Sequence, residues 1–563
     1  MRQRRNLKPD PAWTKHYQHG VKPRIIPPTE SLAEMFARSV QQAGKKTATV
    51  FFDAKTSYKA LGDQVSRAAN SLRRMGVRPG DRVAVLLPNC PQHLVAMYAI
   101  WRIGAVLVEH NPLYTQPELE TMFADHDARV AIAMDSVVPK LKKMPRNVRP
   151  RTIVSVNLLH ALPKLKRMAL SLPLPKLRKM RAQLSSGDRG SVTWEEMLSA
   201  KPISNRVPYP QVNSLAAIQY TSGTTGKPKG AMLTHFNLYS NALQGAAWMR
   251  GAETGKETSY AALPMFHSFG ITMHATFGVL KQMRQVLFPK PDTDMIVSAM
   301  KKYPATVYCV VPILYQRTAE TARKRGVSLK SCKYCISGAA ALPDSTRTLW
   351  EKVSGGLLVE GYGLTEASPV ALGNPFWKSR RPGTIGIPFP STLMKVVDDE
   401  GNQVPPNTPG ELLLQGPQIT QGYWHDREAT EQVLKDGWLH TGDVVTADED
   451  GFVTIVARKK EIIVTGGFNV SPAEVEEVLN SHEGVVESCV VGLPTERGDE
   501  EVVAAVVLKR DVKLDTEETR NWLKKQLAAY KVPRKFFPVD EIPKSMLGKA
   551  LRKQTRDQIL SSL

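Results

Sequence analysis

Residues Tyr220–Gly230 read YTSGTTGKPKG and follow directly on the apolar run Leu215–Ile218. A strand that opens into glycines, hydroxyl side chains and two lysines has the composition of a polyphosphate cradle. Gly223, Gly226 and Gly230 let the backbone approach a ligand, and Thr221, Ser222, Thr224 and Thr225 offer hydroxyls beside exposed N–H groups. Lys227 or Lys229 supplies positive charge. A flexible surface turn has a similar composition, but this run of residues in this order is a specific signal. It is not a Walker A loop, which needs Gly, four residues, then Gly-Lys-Ser/Thr. Here Thr221 stands at the first glycine position and Pro228 follows Lys227, so kinase-type and motor-type nucleotide hydrolysis lose support.

Upstream of this stretch, Val83–Leu87 (VAVLL), Ala105–Val108 (AVLV) and Val130–Met134 (VAIAM) are short apolar runs. Segments of helical period such as Leu94–Ile100 separate them, as in a parallel sheet buried between helices. Downstream, Leu393–Val397, the acidic turn Asp398–Gly401, Glu411–Leu414 and Phe452–Val456 are strand signals with Gly, Pro and Asp between them, more like an antiparallel barrel. Beyond Arg458 the strand signals Val486–Val491 and Val502–Leu508 alternate with the helical segments Pro472–Leu479 and Thr516–Leu527. They predict a small α+β domain of about 100 residues. A length of 563 residues suits two or more domains, and no internal repeat is apparent.

The chain has 76 Lys+Arg against 53 Asp+Glu, a net charge of +23, so acidic partners such as anionic lipid, nucleic acid or phosphorylated substrates come into consideration. The charge is concentrated: Lys140–Arg181 holds 13 Lys or Arg and no Asp or Glu. Lys164, Lys166 and Arg167 sit among Leu162, Leu165, Met168 and Leu170, and Lys176, Arg178, Lys179 and Arg181 among Leu174, Leu177 and Met180. The pattern suits basic amphipathic turns kept short by Pro163, Pro173 and Pro175. A solvated basic loop and a contact with an anionic membrane both fit. Nucleic acid is not expected, because no recognised nucleic-acid motif accompanies the run.

Five cysteines cannot form a disulfide framework, and the basic Met1–Lys8 is followed by no apolar run. A cytoplasmic chain, peripheral on the membrane at most and not secreted, is therefore expected. The most apolar stretch, His93–Val108, is broken by Arg102 and falls short of the roughly 20 apolar residues of a membrane span. Cys332 and Cys335 form CxxC, but residues three apart on a strand point to opposite faces and no second CxxC exists. Buried free thiols are expected there, not a metal site.

Further segments carry the chemistry: Leu263–Gly270 (LPMFHSFG), Glu360–Glu366 (EGYGLTE), Thr441–Asp443 (TGD), Arg458–Glu476 (RKKEIIVTGGFNVSPAEVE) and Pro543–Lys553 (PKSMLGKALRK). In this order, and spanning roughly residues 30 to 560 with the phosphate loop, they resemble the acyl-adenylate-forming superfamily. That superfamily includes acyl-CoA synthetases, luciferases and the adenylation domains of peptide synthetases. GYGLTEASP, GWLHTGD and YKVP near PKSMLGK look most like bacterial long-chain fatty acid CoA ligases.

The resemblance implies an α/β fold with a large AMP-binding domain over 1–458, made of two α/β subdomains and a barrel-like subdomain, with a basic insertion at about 140–181. A small mobile α+β domain over 459–563 completes it. The implied chemistry is attack of a carboxylate on the α-phosphate of ATP, giving acyl-AMP and pyrophosphate, then attack of the CoA thiol on the acyl carbon. Two anions meet in the first step, so cations placed at both are expected to contribute most of the catalysis, with Mg²⁺ the natural ion for phosphate oxygens.

By resemblance Glu366 ligates Mg²⁺, with Thr221 beside it, and Thr365 contacts the α-phosphate. Glu360, Gly361, Tyr362 and Gly363 line the adenine and phosphate pocket, with Tyr362 stacked on adenine and Gly338, Ala339 and Ala340 as the other wall. Asp443 accepts from both ribose hydroxyls, and Arg458 holds the ribose or phosphate region. His267 orients substrate near the α-phosphate. Lys549 bridges carboxylate and phosphate, then leaves as the small domain turns about the hinge residue Lys460. Gly466 and Gly467 leave room for the pantetheine arm of CoA. Ala457 and Asn469 depart from the pattern: many relatives have Gly or Asp at the first, and some long-chain ligases carry a gating tryptophan at the second.

A long-chain fatty acid is the substrate the resemblance favours. The alternatives are a ligase for medium-chain or aryl acids, an enzyme that stops at acyl-AMP and feeds a carrier protein, and a non-catalytic basic membrane-binding protein with a vestigial nucleotide site. Intact Lys549, Glu366, Asp443 and Arg458 argue against the last. Oligomeric state is not readable from the sequence.

Overall fold

A computed structural model describes residues 10–563 apart from 189, 222–227, 459, 460, 462, 466, 467, 496–499, 511, 528 and 545–549; for 176, 183, 457, 458, 464, 468 and 469 it describes the backbone alone. The chain forms two compact units, one of residues 1–393 and 414–439, the other of 394–413 and 440–563.

The apolar runs read from the sequence become the centre of the first unit. Arg82–Leu86, Val106–Glu109, Val130–Met134, Thr152–Val156 and Val192–Thr193 are strands of one parallel sheet. Leu215–Thr221 joins it in parallel beside Val106–Glu109, and Lys229–Thr234 closes its edge in antiparallel. Side chains of the central strands are covered on both faces, which is why these segments are continuously apolar.

The helix Pro91–Arg102 packs with every residue buried. Its length suits a core helix, and among the described residues no helix is long and apolar enough to cross a membrane. Arg102 is accommodated because its guanidinium donates to the carbonyls of Val207 and Pro208 at 2.8 and 3.1 Å and lies over the Tyr209 ring, 4.0 Å from its centre. A second sheet orders Thr258–Ala261, Arg284–Leu287, Thr47–Phe51 and Ala54–Ser57. A third orders Cys335–Ser337, Leu358–Gly363, Val370–Gly373 and Ile387–Pro388.

The structure divides the basic stretch Lys140–Arg181. Thr152–Val156 is an interior strand of the large sheet, paired on both sides. The remainder builds the helices Lys164–Ser171 and Pro175–Leu184, in place of the solvated loop.

In the second unit, Asp443–Ala447 pairs in antiparallel with Val453–Arg458. Further on, Val485–Pro494 and Glu500–Leu508 form a long antiparallel ladder, with Lys535–Pro538 parallel to the latter. Val475, Leu479 and Leu523, from the helices Pro472–Asn480 and Thr516–Leu523, pack into the core beneath this sheet. The result is the small α+β element that the alternating texture predicts.

All five cysteines are free and buried. Cys332 and Cys335 do not share a strand, contrary to the expectation of opposite faces. Cys332 precedes the strand Cys335–Ser337, and the two thiols are hydrogen-bonded neighbours; burial first, then this contact, pushes the Cys335 thiol well up. A protonated, buried thiol is a poor ligand and nucleophile.

Candidate functional site

The strands that flank the glycine-rich stretch, Leu215–Thr221 and Lys229–Thr234, pair in antiparallel as a hairpin at the edge of the large sheet, with Thr221 opposite Lys229 and Tyr220 opposite Gly230. A Cβ at Gly230 would stand 2.7 Å from Ile218 Cγ2, so the close pairing of these strands requires glycine there. The hairpin is braced from behind. Tyr220 donates its hydroxyl hydrogen to Asp125 at 2.5 Å, and Trp424 Nε1 donates to the Asp125 carbonyl at 3.3 Å. His126 Nδ1 accepts from the Ala128 N–H, which leaves its proton on Nε2, facing His110 Nε2 at 3.0 Å. Burial keeps both imidazoles neutral, with His110 pushed down to about 3.

After Lys229–Thr234 the chain turns into the helix His235–Trp248 through a capping box: Thr234 Oγ1 accepts from the Asn237 N–H and the Asn237 side chain accepts from the Thr234 N–H. The Asn237 amide nitrogen has a second task, donating to the carbonyls of Pro417 and Ile419 at 2.9 and 2.8 Å. This fixes the segment that runs along the hairpin strand, where Met232 N–H meets the Gly422 carbonyl and Trp424 N–H the Gly230 carbonyl. Tyr423 is thereby placed between two residues singled out above. Its hydroxyl donates to Glu366 Oε1 at 2.6 Å, and Lys229 Nζ lies 5.4 Å from its ring centre. Burial, with Glu366 alongside, pushes the Tyr423 phenol well up, so it stays a donor.

Glu366 lies in the short helical turn Thr365–Ala367, its carbonyl accepting from the Thr420 N–H at 2.8 Å. Thr365 Oγ1 is 3.4 Å from Ser268 Oγ, which brings the LPMFHSFG segment to the LTE segment. His267 Nδ1 accepts from the Phe269 N–H at 3.3 Å, so its proton sits on Nε2. Dense surrounding protein pushes this imidazole down to about 4. His267 is therefore a neutral hydrogen-bond donor near pH 7, suited to orienting an oxygen of a ligand and poorly suited to general-base work.

The strands Cys335–Ser337 and Leu358–Gly363 run in parallel with Ser337 opposite Glu360, which sets the SGAA turn beside EGYG. A Cβ at Gly363 would meet the Pro369 carbonyl oxygen at 2.1 Å, and one at Gly361 would meet Ile336 Cγ2 at 2.8 Å. Ala339 takes a left-handed backbone, φ 68°, a strained conformation for a residue with a Cβ. Tyr362 is 8% exposed. Both carboxylate oxygens of Glu360 are engaged, one by Gly383 N–H at 3.0 Å and the other by the Asn374 amide at 3.1 Å. Its side chain thus fastens a loop.

The matching families add the deciding observation. The AMP-binding enzyme family matches residues 36–424, and the AMP-binding enzyme C-terminal domain matches residues 474–549. The chain belongs to the AMP-binding enzyme family. It is similar to the long-chain-fatty-acid–CoA ligase of Bacillus subtilis (strain 168), 36% identical over 97% of this chain and 98% of that protein. It is also similar to the feruloyl-CoA synthase of an Amycolatopsis species, 32% identical over 94% and 99%. Among solved structures, ATP-bound MatB from Rhodopseudomonas palustris matches with a TM-score of 0.77 at 29% identity, covering 93% of this chain and 98% of MatB.

In this AMP-binding enzyme the second unit carries the TGD turn. Asp443 is 3% exposed, its N–H donates to Thr441 Oγ1 at 3.1 Å, and it stands opposite Arg458 in the antiparallel ladder. Gly442, at φ +70°, donates its N–H to Glu411 Oε1 at 3.1 Å, and His440 Nδ1 lies 3.3 Å from Glu411 Oε2. Ser222, Gly223, Thr224, Thr225, Gly226, Lys227, Lys460, Gly466, Gly467 and Lys549 lie outside the described residues, as does the side chain of Arg458. Two residues that the sequence reading did not single out, Tyr423 and Glu411, prove to hold the assigned ones. Glu411 showed only as part of a strand signal, and Tyr423 lies in QGYWHD, which has neither periodicity nor a charge pattern.

Proposed function

We propose that this AMP-binding enzyme activates a long-chain fatty acid with ATP and transfers the acyl group to CoA. In the first step a carboxylate oxygen bonds to the α-phosphorus and the bond to the β-phosphate oxygen breaks, releasing pyrophosphate. In the second, the CoA sulfur bonds to the acyl carbon as its proton passes to solvent, and AMP leaves. The observation that carries the reading is the convergence of Lys229, Tyr423, Glu366, Thr365 and His267 along one edge of the hairpin, with the similarity to the Bacillus subtilis ligase over nearly the whole chain in support.

In this reading Lys229 and residues 222–227 take the phosphates, and Thr365 and the Nε2–H of His267 meet oxygens at the reacting centre. Asp443 takes the ribose hydroxyls with Arg458 beside it, and Gly361–Gly363 with Gly338 and Ala339 bound the base, against Tyr362. Glu366, with Thr221, would hold Mg²⁺, which when bound screens the phosphate charge. The donor set fits: Oε1 is oriented by Tyr423, no described residue hydrogen-bonds Oε2, and a hard cation shared with phosphate oxygens and water needs few protein ligands. The segment 459–563 would move about Lys460, bringing Lys549 for the first step and the Gly466–Gly467 channel for the second. Five buried free thiols suit a reducing compartment.

The similarity to feruloyl-CoA synthase favours an aryl acid as the second reading. Mass spectrometry of products from ATP, Mg²⁺, CoA and a mixture of short-chain to long-chain fatty acids and aromatic acids separates the two. Acyl-CoA mainly from long chains is the expected result. Thioesters of aromatic acids alone would transfer the assignment to the second reading, and acyl-AMP without thioester would remove CoA from it.

A further inference from the structure

The helices Lys164–Ser171 and Pro175–Leu184 pack against one another and are rooted in the large core by Leu162, Leu170 and Leu184. Leu177 packs against that core as well, but several neighbouring apolar side chains do not. Leu165 is 82% exposed, Met168 66%, Leu172 51%, Leu174 54% and Met180 43%. Singly exposed apolar residues are ordinary on a protein surface, but a cluster this dense within two short helices and the connection between them, where Leu172 and Leu174 lie, is a patch that water disfavours and that marks a contact surface.

The charge around the patch says what kind of contact. Lys164, Arg167, Arg178 and Lys179 are exposed among these side chains, and no Asp or Glu lies anywhere between Lys140 and Arg181. Lys166 is different: it bonds Asp53 at 2.6 Å while Lys302 holds the other oxygen of that carboxylate at 2.8 Å, so it ties the helical pair to the body. A second copy of the same face would set cation against cation with no acid between them, which works against self-association. A surface that is apolar and anionic together satisfies both features.

We propose that this helical pair docks on a bilayer rich in anionic lipid. Leu165, Met168, Leu172, Leu174 and Met180 enter the boundary between headgroups and acyl chains, while the long Lys and Arg side chains reach lipid phosphates. The proposal narrows the contact from the whole basic stretch to one pair of helices. It does not rest on the substrate reading, since it holds whichever acid the enzyme activates.

The test is co-sedimentation of the full chain with vesicles of phosphatidylcholine alone or mixed with phosphatidylglycerol. Binding is expected to need phosphatidylglycerol and to weaken as salt rises. Each cation contributes roughly fivefold, so the combined variant Lys164→Gln, Arg167→Gln, Arg178→Gln, Lys179→Gln should bind about a hundredfold more weakly or worse. The variant Leu165→Ser, Met168→Ser, Leu172→Ser, Leu174→Ser should keep salt-sensitive attraction yet lose at least about tenfold in affinity. All eight positions are exposed, so circular dichroism and melting should match the parent. A single Leu172→Trp reporter should shift its emission to the blue on vesicles and be quenched by brominated lipid. Unchanged binding in both combined variants, equal binding to neutral vesicles, or a reporter that stays in water would each overturn the proposal. So would a chain that ignores vesicles but captures an acidic polypeptide through these residues, which would make the partner a protein.

Discussion

Tyr423 donates its phenolic hydrogen to Glu366 at 2.6 Å while its ring stands 5.4 Å from the Lys229 ammonium. One aromatic side chain therefore stands between the cation at the start of the second hairpin strand and the carboxylate proposed to hold Mg²⁺. Without a spacer, Lys229 and Glu366 would be free to neutralise each other and leave neither for a ligand. Replacing Tyr423 by Phe keeps the ring and deletes the donor. A hydrogen bond to a charged group contributes about 1.5–3 kcal/mol, so pyrophosphate release should slow by roughly tenfold to a hundredfold. The Mg²⁺ concentration for half-maximal rate should rise with it, and melting should change little. A variant with parental Mg²⁺ dependence would show that Tyr423 does not orient this carboxylate.

Glu411 makes the corresponding prediction for the TGD turn. Its two oxygens face Gly442 N–H at 3.1 Å and His440 Nδ1 at 3.3 Å, and they fix the turn that carries Asp443. The variant Glu411→Ala should loosen that turn and raise the KM for ATP by about tenfold, the size of one lost charge-assisted hydrogen bond. The KM for the carboxylic acid should stay within about twofold. Equal changes in both would place Glu411 outside nucleotide binding.

How legible this was in the sequence depends on what each signal rests on. The central strands were readable because burial on both faces leaves only apolar residues, as in Val130–Met134, all buried. The strand Leu215–Thr221 was readable for the same reason, since its apolar run Leu215–Ile218 lies beside Val106–Glu109 in the same sheet. Tyr423 and Asn237 were not, because their roles arise from contacts between segments far apart in the chain, such as Asn237 with Ile419. Local pattern carries no record of such contacts. The thiols of Cys332 and Cys335 are free and buried as expected, but not by pointing to opposite faces of one strand, since the strand begins at Cys335.

Acid sensitivity follows from the buried imidazoles. His274, 1% exposed in the π-helical turn Ile271–Phe277, has no hydrogen-bond partner on either ring nitrogen among the described residues, and burial pushes it down to about 3. Its folded value lies below the ordinary one of about 6.5, so below that pH the unfolded chain binds the extra proton. The stability that the neutral ring contributes is then full above pH 6.5 and lost as pH falls toward 3. Relative to His274→Phe, the parent should lose about 1.5 kcal/mol of unfolding free energy between pH 6.5 and 5. Urea titrations of both proteins across that range check it; parallel stability curves would mean that His274 takes up a proton in the folded chain.

The proposed division of labour in the small domain is tested by separating the two half-reactions. If Lys549 bridges carboxylate and α-phosphate only while the acyl-AMP forms, Lys549→Ala should lose the charge stabilisation of that step, a decrease of about a thousandfold or more. The same variant, supplied with acyl-AMP and CoA, should still form thioester at a rate within about tenfold of the parent, because the thiol attack proceeds after this lysine has withdrawn. Substituting Gly467→Leu should give the reverse pattern: normal pyrophosphate release with acid and ATP, and blocked thioester formation from supplied acyl-AMP, since a branched side chain would obstruct the pantetheine arm. Opposite losses in the two variants require a domain that serves one step at a time. Equal loss of both half-reactions in Lys549→Ala would instead assign the lysine to a fixed site and remove the argument for rotation about Lys460.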